Sequence, residues 1–116
     1  MKIVRGKDIK FVPVAHEDPK NPGTFKKILL KKEELSPGRI QMINWTKLLV
    51  GRTMRAHVHE SMDEIFVILG GSAVFRAGDR QEVLGVGDAI LVCAQEVHEM
   101  KALGKEEVLY IVIGIV

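Results

Sequence analysis

Four side chains in this sequence are spaced so that they could work on one ion. His57 and His59 stand two apart, and on a strand such residues point to the same face, so both imidazoles can converge on one point. Glu60-Ser61-Met62-Asp63 follows, a polar stretch suited to a turn, with Glu60 and Asp63 read as solvated turn residues. Glu64 then opens an apolar run and, at the start of the adjacent antiparallel strand, faces the two histidines. His98 comes from a later strand, after the turn at Gly85–Gly87. Three imidazole nitrogens and one carboxylate oxygen suit a first-row divalent ion: Mn, Fe, Co, Ni, Cu or Zn. Four ligands leave up to two positions of an octahedral shell open, as a chemical site requires and a closed structural site does not. Glu64 supplies a single negative charge against the ion's two positive ones, so the site stays positive and attracts anions. Arg55, which shares strand parity with His57 and His59, and Arg39, at the start of a strand, are the cations placed to clamp a carboxylate.

The remaining reactive residue types read as packing or surface. His16 lies in a loop with two prolines, away from the cluster, and reads as a surface residue. Cys93 reads as a small buried hydrophobe at a strand end. Met42, Met54, Met62 and Met100 read as packing residues that make a pocket wall apolar. Trp45 and Tyr110 read as core or interface aromatics.

The elements that position the ligands are short. Apolar runs at Lys27–Leu30, Ile40–Val50, Glu64–Leu69, Ser72–Arg76, Ala89–Cys93, Val97–Met100 and Val108–Val116 are strand length, and none sustains a helical repeat. His16–Gly23 and Ser36-Pro37-Gly38 break the chain with proline and glycine. Ala77-Gly78-Asp79-Arg80 reads as a tight hairpin turn. Roughly eight to ten strands punctuated by glycine argue for an all-β barrel or sandwich. Ile65–Leu69 and Tyr110–Ile113 are apolar at both parities, so their outer face needs a cover, either a second sheet or another subunit.

Length and composition bound the class. The chain has 116 residues, 47% of them hydrophobic and 28% charged, which is one globular domain. Lys+Arg 17 against Asp+Glu 15 leaves +2, too little to track a phosphate backbone, so nucleic acid is not expected as a partner. A single cysteine excludes an internal disulfide framework. The first ten residues lack an apolar signal region, and the longest apolar run, Val108–Val116, is too short for a membrane helix. The expected setting is the cytoplasm, without a membrane partner.

The spacing resembles that of the cupin superfamily. Its first motif, G-x5-H-x-H-x4-E-x6-G, is met at every position by Gly51, His57, His59, Glu64 and Gly71. Its second, G-x5-P-x-G-x2-H-x3-N, is met by Gly87 and His98, with Cys93, Gln95 and Ala102 in place of Pro, Gly and Asn. The resemblance covers residues 40–116 and implies a cupin-type double-stranded β-helix, a jelly-roll barrel, with the metal held in its mouth by His57, His59, Glu64 and His98. Residues 1–39 carry no motif and would form edge strands or a subunit-bridging arm of the same single domain, 1–116. The resemblance further implies a homodimer. A shell of three histidines and one glutamate with manganese is similar to that of germin-type oxalate oxidases and oxalate decarboxylases, with a small carboxylate as ligand. Oxalate decarboxylases place a substrate arginine three residues before the first histidine, where this chain has Met54. The alternative is a non-enzymatic cupin that senses a small ligand or a metal.

Overall fold

The protein is described by a computed structural model covering residues 2–35 and 38–116. The break expected at Ser36-Pro37 lies outside the described residues. Among the described residues, ten strands run in chain order: β1 (Val12–Pro13), β2 (Thr24–Lys31), β3 (Ile40–Leu48), β4 (Thr53–His57), β5 (Asp63–Gly70), β6 (Ser72–Ala77), β7 (Arg80–Leu84), β8 (Ala89–Val92), β9 (His98–Leu103) and β10 (Val108–Ile115). They form two antiparallel sheets, one ordered β1-β2-β3-β10-β5-β8 and the other β4-β9-β6-β7. This is the jelly-roll architecture, all-β as the glycine-punctuated runs require.

The two inner faces meet over Phe66, Phe75, Tyr110, Leu48, Ile68 and Met100, all fully buried. Alternation decides which side chains these are. On β10, Val108, Tyr110 and Val112 point inward, and on β5, Glu64, Phe66 and Ile68 do so. Each large apolar side chain removed from water stabilises the fold by about 1.5–3 kcal/mol. Glu64 therefore projects into the same interior as the core aromatics, and this parity places it at the site. The outward residues of the same strands, Ile65, Val67, Ile111 and Ile113, are half-buried.

Two turns follow directly from residue type. Gly78 and Asp79 link the paired residues Ala77 and Arg80, with Gly78 at φ +59, the first loop position of a tight hairpin. At Gly71, φ is +74 and an added Cβ would lie 2.5 Å from the Glu107 carbonyl oxygen, so only glycine lets the β5–β6 corner pass under that backbone.

Three strands have no counterpart among the apolar runs: the two-residue, exposed β1, and β4 and β7. On β7, Arg80-Gln81-Glu82-Val83 are all exposed at the edge of the smaller sheet, so hydrophobic pattern does not mark them. On β4, Met54 pairs with Met100 and His57 with His98, so three steps on one strand oppose two on the other. This bulge breaks the strict alternation on which a parity reading depends. Cys93 is exposed, not buried: β8 stops at Val92 and Cys93 begins the following turn. No helix among the described residues is long and apolar enough to cross a membrane.

Candidate metal centre

The four predicted ligands come together from both sheets. His57 closes β4 and His98 opens β9, and the two form a cross-strand pair in the smaller sheet. Glu64, the second residue of β5, belongs to the facing sheet, so β4 and β5 are not the hydrogen-bonded neighbours that the sequence pattern implied. The segment between them carries the chain from one sheet to the other. His59 lies in it, beyond the end of β4. One ligand atom from each of His57, His59, Glu64 and His98 lies within 4.8 Å of all the others. An ion with bonds of about 2.1 Å closes that span with shifts of a few tenths of an ångström. The four side chains are thus positioned to hold a metal ion.

The hydrogen bonds around the rings favour the same reading. His57 Nδ1 lies 2.8 Å from the Arg55 carbonyl oxygen and His98 Nδ1 lies 3.0 Å from that of Glu96. Each Nδ1–H donates to its carbonyl, which fixes the tautomer and leaves the Nε2 lone pair for an ion. His98 Nε2 sits 3.2 Å and His59 Nε2 3.0 Å from Glu64 Oε1. The His59 contact lacks hydrogen-bond geometry, and His59 Nε2 is a buried atom without a hydrogen-bond partner. Lone pairs gathered around a shared cation produce this combination of short distance and poor angle.

Electrostatics separates the four groups. Burial pushes the His57 imidazole down to about 4, against the opposing pull of its bond to the Arg55 carbonyl, so it is neutral and ready to ligate. Burial also pulls His98 down, and it is the largest single effect, but the hydrogen bonds to Glu64 and the Glu96 carbonyl and the charges of both carboxylates together raise it. Glu64 is the mirror case. Burial raises it, while the His98 bond and the neighbouring histidines bring it below its ordinary value. A metal would replace the proton that His98 and Glu64 share.

Several residues stand elsewhere than the sequence placed them. His16 is not a surface residue away from the cluster: its ring stacks on His57 with centroids 3.9 Å apart, and burial lowers its pKa. Arg55 falls in the β4 bulge and is exposed, and Arg39 is exposed with Nε donating to the Val116 carbonyl at 2.7 Å. Neither arginine lines the cavity of about 250 Å³ beside the ligands. Lys26 does line it, half-buried and without an ion pair among the described residues. An earlier start for β2 would have revealed this, since Thr24 and Lys26 share the inward parity. Met42, Met54 and Met62 make the wall apolar. Asp63 is more than a solvated turn residue: its Oδ1 accepts the Ala94 N–H at 2.7 Å. Gln95, where the second motif has glycine, adopts φ 75.

Residues 44–114 match the family described as the cupin domain. The chain belongs to the cupin family. Among solved structures, this cupin is similar to a predicted oxalate decarboxylase from Thermotoga maritima, at 23% identity and a TM-score of 0.87 over 99% of both chains. It is similar to a polyketide cyclase from Streptomyces resistomycificus, at 21% identity and a TM-score of 0.81, over 99% of this chain and 79% of that one. A sugar phosphate isomerase of the cupin superfamily from Silicibacter pomeroyi gives 15% identity and a TM-score of 0.80, over 99% of this chain and 76% of that one. No curated protein matches the chain. Likeness at these identities is likeness of fold, and the differing descriptions of the three proteins show that the fold leaves the reaction open.

Proposed function

We propose that this cupin holds one divalent transition metal at His57, His59, Glu64 and His98 and binds a small carboxylate beside it. The observation that carries the reading is the convergence of four ligand atoms, one of them the buried and unpartnered Nε2 of His59. Bound there, the ion supplies Lewis-acid polarisation and a two-point template for a carboxylate. The chain's own residues do the rest. Carbonyls of Arg55 and Glu96 orient two rings, the methionine wall excludes water, and Lys26 adds positive charge beside the ligand. Manganese and oxalate chemistry are the finer reading. It is supported by the three-histidine, one-glutamate set and by the likeness to a predicted oxalate decarboxylase.

One observation favours the alternative, a non-enzymatic cupin that binds a small ligand or senses a metal. Glu64 is the only carboxylate lining the cavity among the described residues, so no second acid stands ready to move a proton. Elemental analysis and calorimetry test the reading. The protein should contain one divalent ion per chain, and His59→Ala should lose most of it, because the remaining ligands cannot close the shell. Manganese-loaded protein should bind oxalate, and metal-free protein should not. Unchanged metal stoichiometry in His59→Ala would sink the ligand assignment. Turnover of oxalate separates the enzyme from the sensor.

A further inference from the structure

Four buried side-chain atoms among the described residues have no hydrogen-bond partner: His16 Nδ1, Thr24 Oγ1, Asn44 Oδ1 and His59 Nε2. All four belong to residues that line the single cavity beside the metal centre. Native proteins leave few such atoms, because each loses its water without gaining a partner. A metal accounts for His59. It does not account for the other three, which are not ligands.

These atoms belong to a polar floor. Thr24 and Asn44, 1% and 6% exposed, rise from β2 and β3 on the inner face of the larger sheet. Between their levels, Lys26, Thr46 and Tyr110 stand in register across β2, β3 and β10. Among the described residues, the Tyr110 hydroxyl has only the Met54 thioether, at 3.8 Å, and sulfur is a weak acceptor. His16 lines the cavity too, its ring stacked on His57. The metal ligands occupy one part of this space, and hydroxyls and an amide occupy another.

We propose that the cavity takes a polyhydroxylated carboxylate, a hydroxy acid of three or more carbons, with its carboxylate at the metal and its hydroxyls on Thr24, Asn44, Thr46 and Tyr110. This rests on the metal-and-carboxylate reading above and names the ligand class within it. A hydroxyl both donates and accepts, so it satisfies an amide oxygen and a phenol alike. Oxalate carries acceptors only, so it cannot satisfy the Asn44 amide oxygen. An alkanoate would lay methylenes against unpartnered polar atoms, and a site built for hydroxyls rejects such a ligand strongly. The volume of about 250 Å³ lies below the ~300–1,000 Å³ of drug-sized pockets and suits a small metabolite. Lys26 adds to the positive charge that favours an acid over a neutral polyol.

The test is calorimetric titration of manganese-loaded protein with glycerate, erythronate and gluconate, each beside the unsubstituted alkanoate of equal length, and with oxalate. At least one hydroxy acid should bind tenfold or more tightly than its alkanoate and more tightly than oxalate. Asn44→Leu and Thr24→Val should erase that margin and leave oxalate affinity within twofold. Both should also raise the melting temperature of the ligand-free protein, since an apolar group replaces an unpartnered polar one. Hydroxy acids no tighter than alkanoates would overturn the proposal while leaving the carboxylate reading intact. Variants that lower the melting temperature and keep the ligand preference would overturn it too, because the floor would then be structural. Metal-loaded protein that binds none of these acids would overturn the carboxylate reading and this proposal with it.

Discussion

Gln95 holds a left-handed backbone conformation, φ 75, at the place where the second cupin motif has glycine. A side chain there costs about 1–2 kcal/mol. Two bonds offset it. The Gln95 N–H donates to the His59 carbonyl at 2.8 Å, and the Gln95 Nε2 amide donates to the Glu60 carbonyl at 2.9 Å. Both land on the segment that carries His59, so the strained residue fastens the ligand that stands outside regular structure. Gln95→Gly should relieve the strain and lose the side-chain tie, leaving stability within about 1 kcal/mol of the parent. Its metal should nonetheless leave several-fold faster, because the outer support of His59 is loosened. Gln95→Val should lose about 2 kcal/mol, since a β-branched residue tolerates positive φ poorly. Chemical denaturation and the rate of metal loss to a chelator check these outcomes. Fast metal loss from Gln95→Val with parental rates in Gln95→Gly would mean that unfolding, and not support of His59, controls release.

At the scale of strands and turns, Gly71 and Gly78 separate two effects that a glycine can have. Both adopt positive φ, +74 and +59. Among the described residues, a Cβ at Gly78 meets nothing within 4 Å, whereas at Gly71 it meets the Glu107 carbonyl oxygen at 2.5 Å. Gly78→Ala should cost about 1 kcal/mol, the conformational penalty alone. Gly71→Ala should cost about 3 kcal/mol, because backbone must also move at the β5–β6 corner. Equal losses in urea denaturation would mean that the corner yields freely. The same elements explain what was legible in the sequence. β5 and β10 show as apolar runs because packing needs their residues, and Gly71 and the hairpin at Gly78 show because backbone geometry needs theirs. β7 gives only Leu84 to the core and is otherwise an exposed edge, and the β4 bulge leaves no mark in residue type. The four residues positioned to hold an ion were legible because their spacing follows from two short local segments and one later histidine. His16 was not, since it reaches the cavity from a loop whose approach is set by tertiary packing, and Lys26 was not, because the apolar run that marks β2 begins only at Lys27.

On the whole molecule, the outer face of the larger sheet is the feature that one chain leaves incomplete. Leu91, Ile65, Ile113, Ile43 and Leu30 stand opposite one another in an unbroken apolar row across β8, β5, β10, β3 and β2. The next row adds Val67, Ile111 and Trp45. The smaller sheet covers only the inner face, and within one chain Leu30, Ile43, Trp45, Ile65, Val67, Ile111 and Ile113 are only half-buried. Leu91 is 57% exposed. A contiguous apolar surface of this kind marks an association site. We propose that a second copy of the chain covers it in a symmetric dimer, each larger sheet laid on the other. A stable interface of this type buries more than about 1,000 Å² in total, and two rows crossing five strands can supply it. Sedimentation at micromolar concentration should give twice the chain mass. Leu91→Arg should shift the protein to monomer without unfolding it, because that side chain lies open to water in the single chain and its charge would be desolvated only in the dimer. Metal content should survive the change, since Leu91 faces away from His57, His59, Glu64 and His98. A parent protein that sediments as a monomer, or a Leu91→Arg dimer as tight as the parent, would place the association surface elsewhere or remove it.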